Sequence, residues 1–136
     1  GFMNTKFIPL HIDAILLRLP DITNHFPYLI PSLYSTAIWF TSPALIFIFN
    51  AKKTVINIAS SVTIILTLSV IFSWAVVGFA QFGYRFAQDV MPFLLILVAS
   101  GIGNKPNKIV YFLIILSVIM NAWGTILINK FNIFTI

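Results

Sequence analysis

Apolar positions in this chain fall into four long blocks, broken only by short basic or aromatic turns. The blocks cover residues 34–50, 55–80, 87–103 and 109–129. A helix needs about 20 apolar residues to cross the hydrocarbon layer of a bilayer, and each block reaches or approaches that length. The pattern predicts an all-α fold, a polytopic bundle of four transmembrane spans over residues 34–136. A continuous helix over 55–80 would rise about 39 Å, so that span must tilt or project beyond the lipid. Residues 1–33 lean polar and are predicted as an extracytoplasmic, interfacial segment divided by Pro9, Pro20, Pro27 and Pro31. Between the first two prolines, LHIDAILLRL has room for about three helical turns, too short to span and suited to the membrane interface. At 100° per residue, His11 and Arg18 leave one side of that helix and Asp13 nearly the opposite one. Residues 20–33 read as extended, with Phe26 and Tyr28 at headgroup level.

Two details qualify the spans. Thr41-Ser42-Pro43 interrupts the first block; either Pro43 kinks one helix or Ser42 ends it and a new one starts at Pro43. The second choice leaves too few apolar residues before Lys52 to cross, so a kinked span is the expectation. The second block carries Ser60, Ser61, Thr63, Thr67, Ser69 and Ser73. Such hydroxyls ordinarily bond back to their own helix and let neighbours approach closely, rather than lining a polar path. Asn121, midway along the fourth block, is expected to form an interhelical hydrogen bond.

Composition turns the pattern into a statement about environment. With 60% hydrophobic and 8% charged residues and a mean hydropathy of +1.02, the 136 residues carry more apolar surface than a soluble domain of this size can hide. The net charge of +5 does not mark a nucleic-acid binder, because the eight cations are scattered in ones and twos at block ends. Cysteine is absent, which removes disulfides, thiolate metal sites and a cysteine nucleophile. No HExxH, glycine-rich phosphate loop or serine elbow occurs. His11 and His25 lie in different segments and make a poor metal pair, so neither a metal site nor a cofactor is predicted. The chain opens on Gly1 without a signal-peptide pattern, and reads as the C-terminal part of a longer polytopic protein.

Topology follows from charge. The turns bearing Lys52, Lys53, Lys105 and Lys108 are separated by two spans and so share a side, which the positive-inside rule places in the cytoplasm. The opposite side receives Lys6, Arg18, Arg85 and Lys130, together with all three acids, Asp13, Asp21 and Asp89. The densest chemistry there is the loop from Gln81 to Asp89. Arg85 and Asp89 stand four apart, on one helix face if the third span starts early enough. Asp89 as a helix cap paired with Arg85 is one reading. The other is that Arg85 receives a lipid-linked phosphate, since a guanidinium grips phosphate oxygens in pairs. Asp89 would then orient it, and Tyr84 or Phe82 would stack on the ligand. The binding candidates are therefore Arg85, Asp89, Tyr84 and Gln81, with His11 and Arg18 on the same outer side. Asp13 and Arg18 are expected to balance each other's charge.

The string QFGYRFAQDVMPFLLILVASG resembles the late region of GT-C membrane glycosyltransferases, where an aromatic-Gly-Tyr-Arg segment followed by proline opens one of the last helices. FIPLHIDAILLRLP, FPYLIP, TSPALIFIF and IILSVIMNAWG are similar to the short helix, proline-aromatic stretch, following helix and terminal span of that family. The resemblance implies transfer of a sugar from a polyprenyl-phosphate carrier to an acceptor at the outer face of a prokaryotic plasma membrane. Its partners would be membrane lipid, the lipid-linked sugar donor and upstream transmembrane helices of the same protein. The family's catalytic acid lies in an early outer loop that no position here matches, so no catalytic residue is assigned and the segment alone should be inert. A small four-span accessory or scaffold subunit is the alternative. A transporter fragment using Asn121 and Asp89 as polar steps is disfavoured, because the spans contain almost no ionisable groups.

Overall fold

The computed structural model describes residues 3–32, 34–79 and 81–131. The ends of the expected 1–33 segment, position 80 of the second block and residues 132–136 lie outside them. The described residues are predominantly helical, and two helices among them, Val55–Phe72 and Lys108–Lys130, are long and apolar enough to cross a membrane. A third apolar helix, Met91–Ile102, is shorter. We number the helices α1 (Ile8–Ile12), α2 (Ile38–Thr41), α3 (Val55–Phe72), α4 (Met91–Ile102) and α5 (Lys108–Phe131).

The amino-terminal segment begins with a 3₁₀ turn, Thr5–Phe7, capped by Asn4, and runs into α1 with Pro9 in its first turn. A π-helical turn, Asp13–Leu17, continues it until Arg18 becomes extended. A short antiparallel pair follows, β1 (Asp21–Ile22) with β2 (Leu29–Ile30). Its loop is closed by Thr23 Oγ1, which donates to the carbonyls of His25 and Pro27, and contains a cis Phe26–Pro27 bond.

The first apolar block is not one helix. α2 stops at Thr41, Ser42 adopts φ −139° and ψ 69°, and a 3₁₀ helix runs over Pro43–Asn50. Pro43 is the cause: it has no amide to continue the ladder and its ring pushes the preceding residue out of the α region. The second of the two choices at Thr41-Ser42-Pro43 is therefore the one adopted. Thr41's carbonyl, left over at the break, accepts a 2.8 Å bond from Asn121 Nδ2 of α5. That bond gives the polar residue in the middle of α5 its structural role, as expected for Asn121.

α3 starts sharply, with Thr54 Oγ1 accepting from the amide of Asn57, and ends at Phe72, short of position 80. There Ser73 Oγ turns back to the carbonyl of Val70, and Ser73's own carbonyl accepts from the amide of Asn4 at 2.8 Å. Trp74 then forms a β-bridge with Met3. Three hydroxyls along α3 are occupied within the helix: Ser61, Thr63 and Ser69 donate to the carbonyls of Asn57, Ala59 and Leu66. α4 begins only at Met91, because Arg85–Asp89 forms a separate 3₁₀ turn, and it ends at Gly103 with φ +68°. Asn107 Oδ1 caps α5 by accepting from the amide of Val110 at 3.0 Å.

α4 packs mainly on the Pro43–Asn50 helix and on α3. The contact with the first is backbone-close: a Cβ on Gly101 would overlap the carbonyl oxygen of Phe47 and stand 3.3 Å from the amide of Ala51. α3 and α4 are tied by Asn57, which is buried and donates from Nδ2 to the carbonyl of Lys52 (2.7 Å) and to Ser100 Oγ (2.6 Å). The buried apolar cluster sits at the other end, where Ala14, Ile15, Val77, Tyr84 and Ala87 meet Ile38 and Phe72. Val90, Leu97, Val98, Val110 and Leu127 are buried outside that cluster, but many other apolar side chains point outward. Only 11% of the hydrophobic window of α3, and of α5, is buried; Ile65 and Phe112 are 67% and 62% exposed. Neither helix is buried as the core helix of the described residues, and both have the length and composition to cross a membrane.

Candidate functional site

The loop that joins α3 to α4 is held by Gln81 and Tyr84. Gln81 is buried because Gly78 makes room: at φ +101° it reverses the chain, and a Cβ there would stand 2.6 Å from Gln81 Oε1. The Gln81 amide nitrogen donates to the carbonyls of Val77 and Tyr34, and its oxygen accepts from the amide of Arg85 at 3.4 Å. One side chain thus ties the loop on both sides of itself to the backbone at Tyr34.

Tyr84 points the other way, into the amino-terminal segment. Its hydroxyl lies 2.5 Å from His11 Nδ1, while His11 Nε2 lies 2.8 Å from the carbonyl of Trp74. A carbonyl only accepts, so the neutral imidazole carries its proton on Nε2 and Nδ1 accepts from the tyrosine. Phe72 stacks on the imidazole at 5.6 Å. His11 has no solvent exposure, and burial pushes the Tyr84 phenol well above its ordinary value. Both groups are fully engaged in holding α1 to the end of α3.

Arg18 makes a 2.6 Å contact from Nε to Asp13 Oδ2, and its guanidinium lies 4.8 Å above the Tyr34 ring. Asp13 and Arg18 therefore meet, although helical spacing put them on opposite sides; the helix ends at Leu17, and the extended Arg18 folds back. The carbonyls of Leu16 and Arg18 bind Trp39 Nε1 and the amide of Ala37, both at 2.7 Å.

In front of this framework lies an open cavity of about 380 Å³ bordered by Thr41, Ser42, Gln81, Tyr84, Arg85, Gln88 and Asn121. The fold brings Gln81, Tyr84 and Arg85 onto its wall. His11 stands behind Tyr84, and Arg18 reaches the site only through Tyr34. Asp89 does not border the cavity, and no ion pair joins it to Arg85. In an α-helix, residues four apart are about 40° apart around the axis, but in the observed 3₁₀ turn they are about 120° apart. Nor does Asp89 cap α4, whose N-terminus receives no side-chain hydrogen bond.

Sequence spacing did not find Thr41 and Ser42, which enter from the broken first block, or the cavity-facing position of Asn121 on α5. The only signal for the first two was the proline that follows them. Chemically, the cavity offers donors and one exposed, ion-pair-free guanidinium; no acid or histidine borders it among the described residues. Nor do three or more His, Cys, Asp or Glu residues gather in a metal-holding group among them. No protein-family model, curated protein or solved structure matches this chain.

Proposed function

We propose that this chain is a four-span membrane module with a scaffolding or accessory role, whose helices hold a partner or the rest of its own protein rather than perform chemistry. The observation that supports this reading is where its polar side chains go. Asn57, Asn121 and the Ser61, Thr63 and Ser69 hydroxyls of α3 are engaged in closing backbone or joining helices, while the outward faces of α3 and α5 are apolar. In this arrangement the Pro43–Asn50 helix and α4, each too short alone, cross together with α2 and the Arg85–Asp89 turn as broken spans. Such breaks are tolerated in a membrane when neighbouring helices satisfy the freed backbone, as Asn121 does at Thr41. The lysine turns face the cytoplasm of a prokaryotic plasma membrane.

A second reading has its own support. The cavity beside Arg85 presents a guanidinium without a carboxylate partner, the group a lipid-linked phosphate would meet in the C-terminal membrane part of a GT-C glycosyltransferase. Equilibrium binding of a radiolabelled polyprenyl phosphate to the purified chain separates the two. The scaffold reading expects Arg85→Ala to bind it no differently from the unaltered chain. Saturable binding that Arg85→Ala abolishes and Arg85→Lys weakens would replace it with the glycosyltransferase reading.

A further inference from the structure

At the end of the bundle opposite Arg85, a groove opens to the outside between α3 and its neighbours, with a volume of about 260 Å³. Lys52 and Lys53 stand at its mouth, Leu97 of α4 forms its buried floor, and Ile58, Val62 and Ile65 line one wall on successive turns of α3. Those three side chains are about half to two-thirds exposed, so the wall faces whatever surrounds the bundle. The other polar groups at its edge are already engaged. Asn57 Nδ2 serves Lys52's carbonyl and Ser100, and Ser61 Oγ donates to Asn57's carbonyl. What remains is a short apolar channel with two exposed ammonium groups at one end and no acid paired to either.

The charge of this whole end is one-sided. The amide of Lys52 lies 3.3 Å from Ser100 Oγ, which brings the Lys52-Lys53 turn beside the C-terminus of α4, where the Lys105–Lys108 turn follows. Asp13 and Asp89 belong to the opposite end, with α1 and the start of α4.

We infer that this groove is a binding site for an anionic phospholipid, with the headgroup phosphate on Lys52 and Lys53 and one acyl chain descending along Ile58, Val62 and Ile65. The inference rests on the membrane reading above and is independent of any sugar-transfer role. Charge complementarity selects an anionic over a zwitterionic lipid: each lysine near such a surface contributes roughly a fivefold preference. The apolar wall makes it a site rather than a diffuse cloud, because the lipid must satisfy both ends at once.

Native mass spectrometry of the delipidated chain, offered equal phosphatidylglycerol and phosphatidylcholine of identical acyl length, tests it. The chain should retain phosphatidylglycerol about tenfold or more over phosphatidylcholine. Lys52→Gln with Lys53→Gln should bring the two lipids near parity, whereas Lys105→Gln with Lys108→Gln, which removes the same charge outside the groove, should keep the preference. Val62→Trp should lower retention of both lipids with every lysine in place. Equal loss from the two lysine pairs, equal binding of both lipids by the unaltered chain, or full retention in Val62→Trp would overturn the site. Alkaline carbonate extraction of the unaltered chain from membranes keeps the failures distinct. Release into the supernatant would refute the membrane reading itself, whereas retention in the membrane with no lipid preference would refute only the groove.

Discussion

Gly101→Ala is the sharpest test of the packing, because two well-understood effects oppose each other in sign. Gly101 sits in α4 at ordinary helical geometry, where alanine is favoured over glycine by about 1 kcal/mol on helix propensity and backbone entropy. Against that, the new methyl group would overlap the carbonyl oxygen of Phe47, with the carbonyl carbon 2.9 Å and the Ala51 amide 3.3 Å away. These are backbone atoms of the Pro43–Asn50 helix and cannot rotate aside, so the two helices must separate. Overpacking of this kind costs about 1–3 kcal/mol, and the immovable neighbours put this site in the upper part of that range. The net expectation is destabilisation of about 1–2 kcal/mol for alanine, and more for Gly101→Val. Reversible unfolding in mixed micelles, followed by circular dichroism, reads the difference. Gly124→Ala is the natural comparison, since the nearest atoms to the added methyl there belong to the Phe82 side chain rather than to backbone. If Gly101→Ala is neutral or stabilising, α4 does not approach the 43–50 helix as described, and the account of the broken first block fails.

Other outcomes follow from the hydrogen bonds. Asn121→Leu leaves Thr41's carbonyl without its α5 donor and should cost about 0.6–1.7 kcal/mol in the same assay; no change would mean that water or another group already serves that carbonyl. Asn57→Ala removes the bonds to Lys52 and Ser100, so the Lys52-Lys53 turn should become more susceptible to trypsin while α5 is unaffected. Tyr84→Phe deprives His11 Nδ1 of its donor and should destabilise by about 1–3 kcal/mol. The same variant tests pH dependence. The buried phenol binds its proton more tightly folded than unfolded, where it ionises near its ordinary 10.0. Above that pH the unfolded chain holds fewer protons, so stability falls as pH rises, and Tyr84→Phe should flatten that alkaline decline. An unchanged slope would place Tyr84 in water.

Much of the helical content was legible in the chain, because apolar runs as long as those of α3 and α5, started by Thr54 and Asn107, have few alternatives. Their limits were less legible. Hydropathy continues through Trp74-Ala75-Val76-Val77, yet α3 stops at Phe72, since the Met3–Trp74 bridge and the Asn4 amide take the backbone that the helix would have used. The Ser42 break was visible as a choice, and a length criterion for crossing selected the other branch. What that criterion could not contain is Gly101 and Asn121, distant residues that give the 3₁₀ helix a close neighbour and the broken end a donor. The site divides the same way. The Gln81–Arg85 cluster stands out by residue type, but its expected Arg85–Asp89 face presumed an α-helix where the chain makes a 3₁₀ turn. The His11–Tyr84 bond spans 73 positions and leaves no local trace.

A membrane bundle of the proposed kind has two chemically distinct ends on opposite faces of the bilayer. The chain's lack of cysteine makes this directly measurable, with single cysteines at three exposed positions, Lys53, Asn104 and Gln88. A membrane-impermeant thiol reagent applied to sealed vesicles of one orientation should label positions 53 and 104 from the same side and position 88 only from the other. Labelling of positions 53 and 88 from one side would contradict it.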